Sequence, residues 1–342
     1  MGLVGYGLSG EVFHGGLVRA CPGMAVVAAV TRSAERAERL AATHPGARAV
    51  PDLDALLGDL RPDLVVVASP DGQHAGQARA ALDAGAAVVV DKPLATSSAA
   101  AEALVSHARS VGRLLTIFHN RRWDSDQLTL ARLVEDGTLG RVFRHETRFE
   151  RWRPELDPAK WRDRNPTEQG GGTLLDLGTH LVDQSVQLFG PVGWVHAEIA
   201  ARRGGSDDEA FLALTHTGGA VSHVSVGSVF GAPGPRRRVL AERGAYVVDV
   251  LDSQEDQLRS GLAADDPGFG IEPEERWGRL HRGNDVASVP SETGRWRYFY
   301  PAVLSALVDG TPPPVDPADA VEVLRVLEAA RRSSDSGSTV EL

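Results

Sequence analysis

The sequence is poor in cysteine, lysine and long hydrophobic runs. Its single cysteine, Cys21, excludes an internal disulfide and a cysteine-based metal cluster, so we expect a reducing, cytoplasmic compartment. No apolar run approaches the roughly 20 residues that cross a bilayer, and the first residues lack the pattern of a signal peptide, so no membrane association is expected. Only two lysines, Lys92 and Lys160, stand among 36 basic residues. This bias is typical of a GC-rich genome, and it singles out both remaining lysines.

Acidic residues outnumber basic ones, 46 against 36, in a chain of 342 residues. An acidic surface repels phosphate, which excludes general nucleic-acid binding. The length predicts two domains, each large enough to bury a core. All six tryptophans lie from Trp123 onward. This shift in composition predicts a boundary near residue 120, with domains at 1–120 and 121–342.

The first 120 residues alternate short valine-rich runs with segments of helical composition. Such strands, apolar on both faces and separated by helices, predict a parallel sheet covered on both sides. The predicted strands are 3–4, 25–30, 64–68, 86–90 and 114–118, and the predicted helices are 34–43, 73–84 and 98–110. Because Leu3 and Val4 are almost the whole first strand, we expect the natural start to lie upstream of Met1.

The rest of the chain is predicted to form a second α/β domain. Glycine-rich and Pro-Gly turns join its β-type runs, which predicts antiparallel strands. The predicted helices are 125–136, 172–189 and 317–332, and the predicted strands are 141–151, 192–201, 210–215, 220–229, 236–242 and 245–249. The helical tail is expected to pack back onto one of the domains. We predict no helix or strand for the polar stretch 261–290.

Gly5, Gly7 and Gly10 form a G-x-G-x-x-G directly after a strand and before a helical run. Glycines in this pattern allow a tight turn and bring backbone N–H groups, here those of Leu8 and Ser9, close to a pyrophosphate. Methyltransferases use a similar loop for another ligand. The alternation of strands and helices favours a dinucleotide.

The second strand ends in Val30-Thr31-Arg32-Ser33. An NAD enzyme would place an acid here to accept from the ribose 2′-hydroxyl, whereas an arginine flanked by two hydroxyls suits a 2′-phosphate. The segment therefore favours NADP over NAD. Alternatively, Thr31 and Ser33 only cap the following helix.

Polar residues follow two further strands, as Ser69-Pro70-Asp71 with His74, and as Asp91-Lys92-Pro93. Open α/β sheets bind ligands at the carboxyl ends of their strands. A lysine beside a positively charged nicotinamide ring has its ammonium form destabilised, which suits proton transfer. The alternative is that Lys92 simply pairs with Asp91.

In the second domain, three glycines open a helix that carries Asp176, His180 and Asp183. Asp176 and His180 are four residues apart and are predicted to share one helix face. A carboxylate and an imidazole side by side can orient one another and share a substrate hydroxyl. The alternative is a buried structural pair. Asp183 is either the orienting partner of His180 or a plain surface charge. The histidines and acids show no clustering that predicts a metal site.

Together these motifs, with His119-Asn120-Arg121-Arg122-Trp123, resemble the Gfo/Idh/MocA oxidoreductases over essentially the whole chain. The later stretch Gly234-Pro235-Arg236, with 252–256 and the glycine-rich segment to Trp277-Gly278, looks particularly like the branch of NADP-dependent scyllo-inositol dehydrogenases. The resemblance implies a Rossmann domain followed by a C-terminal α/β domain with a large, open, mostly antiparallel sheet. That sheet is commonly a subunit interface, so a homodimer or homotetramer is expected. The activity implied is hydride transfer between nicotinamide and a secondary alcohol of a polyol, inositol or sugar.

The resemblance also implies residue roles. Lys92, Asp176 and His180 match the catalytic positions, with His180 as general base, although His180 and Lys92 are both candidates for taking the proton. The candidates for cofactor binding are Gly5, Gly7, Leu8, Ser9, Gly10, Thr31, Arg32, Ser33, Ser69, Pro70, His74, Asp91, Lys92 and Asn120. The candidates for substrate binding are Arg122, Trp161, Arg162, Asp176 and His180. Two residues depart from the family pattern: Asp91 stands where Glu is commoner, and Asp71 where Asn is commoner.

Two other functions are compatible with this fold: a regulator that senses NADP without turnover, and a lyase or glycosidase that oxidises a sugar transiently. The arginine- and tryptophan-rich segment 151–164 precedes the catalytic helix. It either lines the substrate pocket or forms a salt-bridged contact with another subunit. Its arginines favour an acidic or phosphorylated sugar, whereas its Trp and Asp residues suit a neutral ring.

Overall fold

The valine-rich runs near the start of the chain form one sheet, and the later β-type runs form a second. In this computed structural model the described residues are 1–157 and 161–342, so Lys160 lies outside them. The chain divides into two compact units. The first comprises Met1–Asn120, Gln254–Phe269 and Arg295–Val321, and the second comprises Arg121–Ser253, Gly270–Gly294 and Glu322–Leu342. No helix within the described residues is long and apolar enough to cross a membrane.

The sheet of the first unit has six parallel strands in the order β3-β2-β1-β4-β5-β6. The strands are β1 (Gly2–Val4), β2 (Ala28–Val30), β3 (Arg48–Val50), β4 (Leu64–Val67), β5 (Ala87–Asp91) and β6 (Leu115–Phe118). This is the strand order of a Rossmann fold. All four residues of β4 are buried, as the apolar run predicts. The predicted parallel sheet is confirmed, but β3 was missed because only Val50 of its residues is buried.

Local signals account for several helix boundaries. The side chain of Ser33 caps one helix by accepting from Arg36 N, and that of Ser97 caps another by accepting from Ala100 N. Both helices span the predicted residues. The helices are α1 (Gly15–Arg19), α2 (Ala34–Thr43), α3 (Leu53–Ala55), α4 (His74–Asp83), α5 (Ser98–Ser110), α6 (Ser125–Glu135), α7 (Trp161–Arg164), α8 (Thr179–Phe189), α9 (Gln254–Arg259), α10 (Phe299–Val308) and α11 (Pro317–Ser336).

Three segments form π-helical turns, and two of them carry candidate site residues. Ser9–His14 continues the glycine loop into α1, and Leu174–Gly178 leads into α8. The third, Leu56–Leu60, follows α3. The helix predicted over 172–189 therefore begins as a π turn, in which backbone hydrogen bonds run over five residues rather than four.

The second unit contains a mixed sheet in the order β14-β13-β12-β11-β7-β10-β9-β8-β15. Its strands are β7 (Val142–Glu150), β8 (Val192–Ala200), β9 (Glu209–His216), β10 (Val221–Gly227), β11 (Arg237–Ala241), β12 (Gly244–Val248), β13 (Gly278–Arg282), β14 (Asp285–Val289) and β15 (Val340–Glu341). The large, mostly antiparallel sheet is confirmed, with one exception. Strand β10 pairs with β7 in parallel.

The polar stretch 261–290, for which the sequence predicted no element, contains the hairpin of β13 and β14. Four of the five β14 residues are exposed, so the strand lacks the apolar alternation that marks a half-buried strand. Elsewhere in the second unit, Leu130 and Leu133 of α6 pack in one core cluster with Val239 and Tyr246 of the sheet. The second unit thus buries its own core, as the length predicts.

Candidate active site

The glycine loop of the first unit leaves open space only at its middle glycine. A Cβ at Gly5, where φ is +100°, would lie 2.6 Å from the Ala68 carbonyl oxygen, and a Cβ at Gly10 would lie 2.1 Å from the Gly5 carbonyl oxygen. A Cβ at Gly7 would meet no described atom within 4 Å. Gly5 and Gly10 therefore permit close packing of loop and strand, while Gly7 leaves room for a ligand to approach the backbone.

The two hydroxyl side chains at the end of β2 accept hydrogen bonds from nearby backbone N–H groups. Ser33 N donates to Thr31 Oγ1 at 3.2 Å, and Arg36 N donates to Ser33 Oγ at 3.3 Å. The capping alternative is therefore confirmed for Ser33. Each hydroxyl still has its own proton to donate. Arg32 is exposed at this strand end, with Nε 3.4 Å from the Pro51 carbonyl oxygen.

His74 joins the loops that follow β4 and β5. Its Nδ1 lies 2.7 Å from the Pro93 carbonyl oxygen, and its Nε2 lies 2.8 Å from the Ser69 carbonyl oxygen. The ring is buried. Ser69 Oγ donates to Gln77 Oε1 at 2.6 Å. Because both ring nitrogens contact the protein backbone, the geometry gives His74 a part in holding the two loops together, and its contact with a cofactor stays a prediction.

Asp91, at the end of β5, connects Lys92 to the glycine loop. Its Oδ1 accepts from the backbone N–H of Lys92 at 2.7 Å, and its Oδ2 accepts from the Ser9 hydroxyl. Burial by itself would raise the pKa of Asp91. The contact with His14, the charge of Lys92 and the Ser9 hydrogen bond outweigh burial and hold that pKa well below its ordinary range. The carboxylate therefore stays ionised, and the Lys92–Pro93 peptide bond that follows is cis.

In the second unit, Asp176 lies in the π turn before α8 and pairs with Arg162, whose Nε is 3.1 Å from Asp176 Oδ1. The Arg162 guanidinium stacks over the Trp161 ring, 4.2 Å from its centre. Arg162 therefore joins two of the residues predicted to bind substrate. Asp176 is partly exposed, so its carboxylate has access to solvent.

His180 lies in the first turn of α8 and is 7% exposed. The Phe149 ring meets the imidazole edge to face, with the ring centres 6.1 Å apart. The guanidinium groups of Arg121 and Arg236 lie 5.1 Å and 4.3 Å from the centre of the same Phe149 ring. Burial lowers the pKa of Arg236 to about 9. This stack was not anticipated from the sequence, since its four members come from four distant segments of the chain.

Asp183, one turn beyond His180, is buried and pairs with Arg122. The expectation of a plain surface charge is therefore wrong, because the side chain is enclosed and already bound to an arginine. Asn120, predicted to bind cofactor, is also buried. The structure gives Arg122 a protein partner in addition to its predicted role toward substrate.

A cavity of about 400 Å³ in the second unit is lined by Asp176 together with residues 151, 153–157, 162 and 163. Described residues of the 151–164 segment therefore line a cavity, and whether substrate binds in that cavity stays a prediction. In the part of the chain that the structure describes, the charged lining residues include one more acid than arginine: Arg151, Arg153, Arg162, Arg203, Glu155, Asp157, Asp163, Asp176 and Asp207. Arg203 is held within the protein, since its Nε donates to Asp208 Oδ2 at 3.0 Å and its Nη1 donates to the Arg153 carbonyl oxygen at 3.0 Å.

Comparisons with known proteins agree with these features over the whole chain. The model of the oxidoreductase family's NAD-binding Rossmann fold (GFO_IDH_MocA) matches residues 1–119, and the model of its C-terminal alpha/beta domain matches residues 131–342. The Rossmann domain binds a nicotinamide cofactor. The chain is 33% identical to scyllo-inositol 2-dehydrogenase (NADP(+)) IolW of Bacillus subtilis, over 100% of this chain and 95% of the relative.

More distant relatives include D-xylose 1-dehydrogenase (NADP(+)) 2 of Haloferax volcanii, which is 26% identical over 84% of this chain and 83% of its own. Among solved structures, the oxidoreductase yvaA of Bacillus subtilis superposes with a TM-score of 0.92 at 33% identity, covering 100% of this chain and 97% of that chain. The oxidoreductase YPO2259 of Yersinia pestis gives a TM-score of 0.89 at 33% identity, covering 100% and 96%.

Proposed function

Because the chain belongs to the Gfo/Idh/MocA oxidoreductase family, we propose that it transfers a hydride between NADP and a secondary alcohol of a neutral polyol, inositol or sugar. The observation that carries the proposal is the carboxyl edge of the parallel sheet. There the open position at Gly7 follows β1, and Lys92 follows β5. Ligands of open α/β sheets bind at this edge.

The residues present fit a nicotinamide dinucleotide. Gly7 leaves the space that a pyrophosphate needs, and any side chain at that position would occupy it. Thr31, Arg32 and Ser33 offer hydroxyl and guanidinium donors without an acid, which supports NADP. The relative IolW is named for the same cofactor. When bound, the nicotinamide supplies the hydride chemistry.

The chain's own residues supply proton transfer and orientation. During oxidation His180 removes the hydroxyl proton as general base, and Lys92 hydrogen-bonds the same oxygen. Asp176 accepts from a substrate hydroxyl and fixes the orientation of the ring. These roles follow the family motif positions, and the partial exposure of Asp176 beside the cavity supports the last of them.

The cavity charges support a neutral substrate over an acidic or phosphorylated one. Among the described residues that line the cavity, arginines and acids are nearly balanced, and two of the arginines already have acid partners: Arg162 pairs with Asp176, and Arg203 pairs with Asp208. A phosphate would have to compete with these carboxylates for the guanidinium groups. Hydroxyl groups can instead hydrogen-bond to both the acids and the arginines.

Absorbance at 340 nm tests the proposal on the full chain. The protein is mixed with NADP and, in turn, with scyllo-inositol, myo-inositol, glucose, xylose and a sugar phosphate. We expect steady accumulation of NADPH with at least one neutral polyol. Lys92→Met and His180→Ala should each lower kcat by about 10²- to 10⁴-fold, the usual contribution of a positioned acid–base group.

His107→Ala is the matched control for His180→Ala. His107 pairs with Asp83 and lies on α5, a helix that carries no candidate catalytic residue. It should keep wild-type turnover. A regulator would bind NADPH without turnover, and a lyase would consume sugar without net NADPH. Either result contradicts the proposal, as does a Lys92→Met variant that turns over normally.

A further inference from the structure

A buried histidine and tyrosine lie behind the Asp91 carboxylate in the first unit. His14 and Tyr300 are both fully buried, and His14 Nδ1 lies 2.7 Å from the Tyr300 hydroxyl. On its other side, His14 Nε2 lies 3.7 Å from Asp91 Oδ2. At that length the contact is electrostatic and not a hydrogen bond. The imidazole therefore lies between a phenol and the carboxylate next to Lys92.

The π turn explains how His14 reaches Asp91. Ser9 and His14 begin and end this turn, and both approach the same oxygen, Asp91 Oδ2. In an α-helix two residues five positions apart differ by about 140° around the axis and could not face one carboxylate. In a π turn they are hydrogen-bonding neighbours. The irregular backbone after the glycine loop thus serves to bring both side chains to Asp91.

The chemistry of the two buried groups is complementary. Burial, and then the charge of Asp91, raise the pKa of Tyr300 well above its ordinary value, so the phenol keeps its proton. A phenol that donates to Nδ1 leaves the ring proton of His14 on Nε2, where it faces Asp91 Oδ2. The Phe118 ring packs on the imidazole with the ring centres 4.4 Å apart, which fixes its plane.

We propose that His14 and Tyr300 are positioning residues that hold Asp91 in place. The carboxylate in turn fixes both the backbone of Lys92 and Ser9, where the π turn after the glycine loop begins. The inference rests on the proposed function for the catalytic part of Lys92. It assigns a role to Tyr300, a residue far from the family motifs in sequence, and it makes Asp91 a structural anchor.

The two lysines of the chain allow a direct test. The full-length protein labelled with ¹⁵N-lysine gives two backbone amide signals, and Lys160→Arg assigns the one that belongs to Lys92. Because the Lys92 amide donates to Asp91, its hydrogen-exchange rate reports how well Asp91 is held. We expect exchange about tenfold faster in Tyr300→Phe and in His14→Asn. Exchange within twofold of wild type in both variants would overturn the proposal.

Tyr298→Phe is the matched control, since Tyr298 is 57% exposed and lies two residues before Tyr300. It should leave the Lys92 exchange rate unchanged. If His14→Asn lowers the melting temperature too far for measurement, the isosteric Tyr300→Phe decides alone. In active protein, Tyr300→Phe should lower kcat about tenfold, with a smaller change in KM. Absence of turnover in the wild type would count against the proposed function, while the amide measurement would still decide the role of His14 and Tyr300.

Discussion

Arg122 and Asp183 form a bidentate ion pair in which Arg122 Nε donates to Oδ2 at 2.9 Å and Nη2 donates to Oδ1 at 2.6 Å. The pair joins the segment before α6 to α8, the helix that carries His180. Asp183 is 2% exposed, so its charge depends on the arginine for compensation. Helix α8 is therefore held by a buried charge pair one turn from the candidate base.

Breaking this pair should destabilise the protein. Asp183→Ala removes the bidentate partner of a mostly buried guanidinium, and we expect the free energy of unfolding to fall by about 3–5 kcal/mol. Urea denaturation followed by circular dichroism measures the change. Arg202→Ala removes an exposed pair with Glu209 and should change stability little. A loss below about 1 kcal/mol in Asp183→Ala would argue that the pair is not needed for stability.

Arg32 should decide the cofactor preference. We expect Arg32→Ala to weaken NADP binding by about 10- to 100-fold, because a charge-assisted contact with the 2′-phosphate is lost. Binding of NAD should change by less than about threefold, since NAD lacks that phosphate. Fluorescence titration with NADPH and NADH gives both constants. Arg113→Ala, at an exposed turn before β6, is the matched control, and equal losses for the two cofactors would refute the assignment.

His145 should make the stability of the protein depend on pH. Burial, and then the charges of Arg237 and Arg236, lower its pKa well below the ordinary value, so the folded chain keeps the ring neutral. The unfolded chain binds a proton below about pH 6.5. Stability from this group is therefore fully present above pH 6.5 and is lost as the pH falls below it.

Urea denaturation between pH 7.5 and 5 measures this effect. The free energy of unfolding should fall by up to about 1.4 kcal/mol per pH unit for each such histidine. His145→Gln should show a shallower dependence than the wild type, because glutamine takes up no proton. Equal slopes for the two proteins would show that His145 does not contribute.

The outer face of the large sheet is the predicted surface for assembly. Phe211 and His223 pack on it with ring centres 5.5 Å apart, and Trp194, on the neighbouring strand β8, is 45% exposed. We expect the wild type to run as a dimer or tetramer in size-exclusion chromatography with light scattering. The double variant Phe211→Glu, Trp194→Glu should approach the 36.4 kDa of one chain, because charge replaces apolar surface. Val286→Glu, on the edge strand β14, is the control and should keep the wild-type mass.

Local signals in the sequence determined much of the first unit. The bounds of α2 and α5 are predicted to the residue, because Ser33 and Ser97 cap these helices through hydrogen bonds within three positions. The parallel sheet follows from apolar runs that need burial on both faces. The roles of Gly5 and Gly10 also follow from the motif, since only a residue without a Cβ fits there.

Contacts between distant parts of the chain were decided only by the tertiary structure. The parallel pairing of β7 with β10 has no local signature, because pairing partners are set by the whole sheet. The two-residue turn Gly283-Asn284 does mark the hairpin of β13 and β14, but the exposure of β14 removes the apolar alternation that would identify the strand. His14 and Tyr300 are separated by 286 positions. The sequence by itself singled out the candidate residues for the chemistry, and the fold decided which buried partners hold them, because hydrogen bonds and ion pairs depend on distance in space.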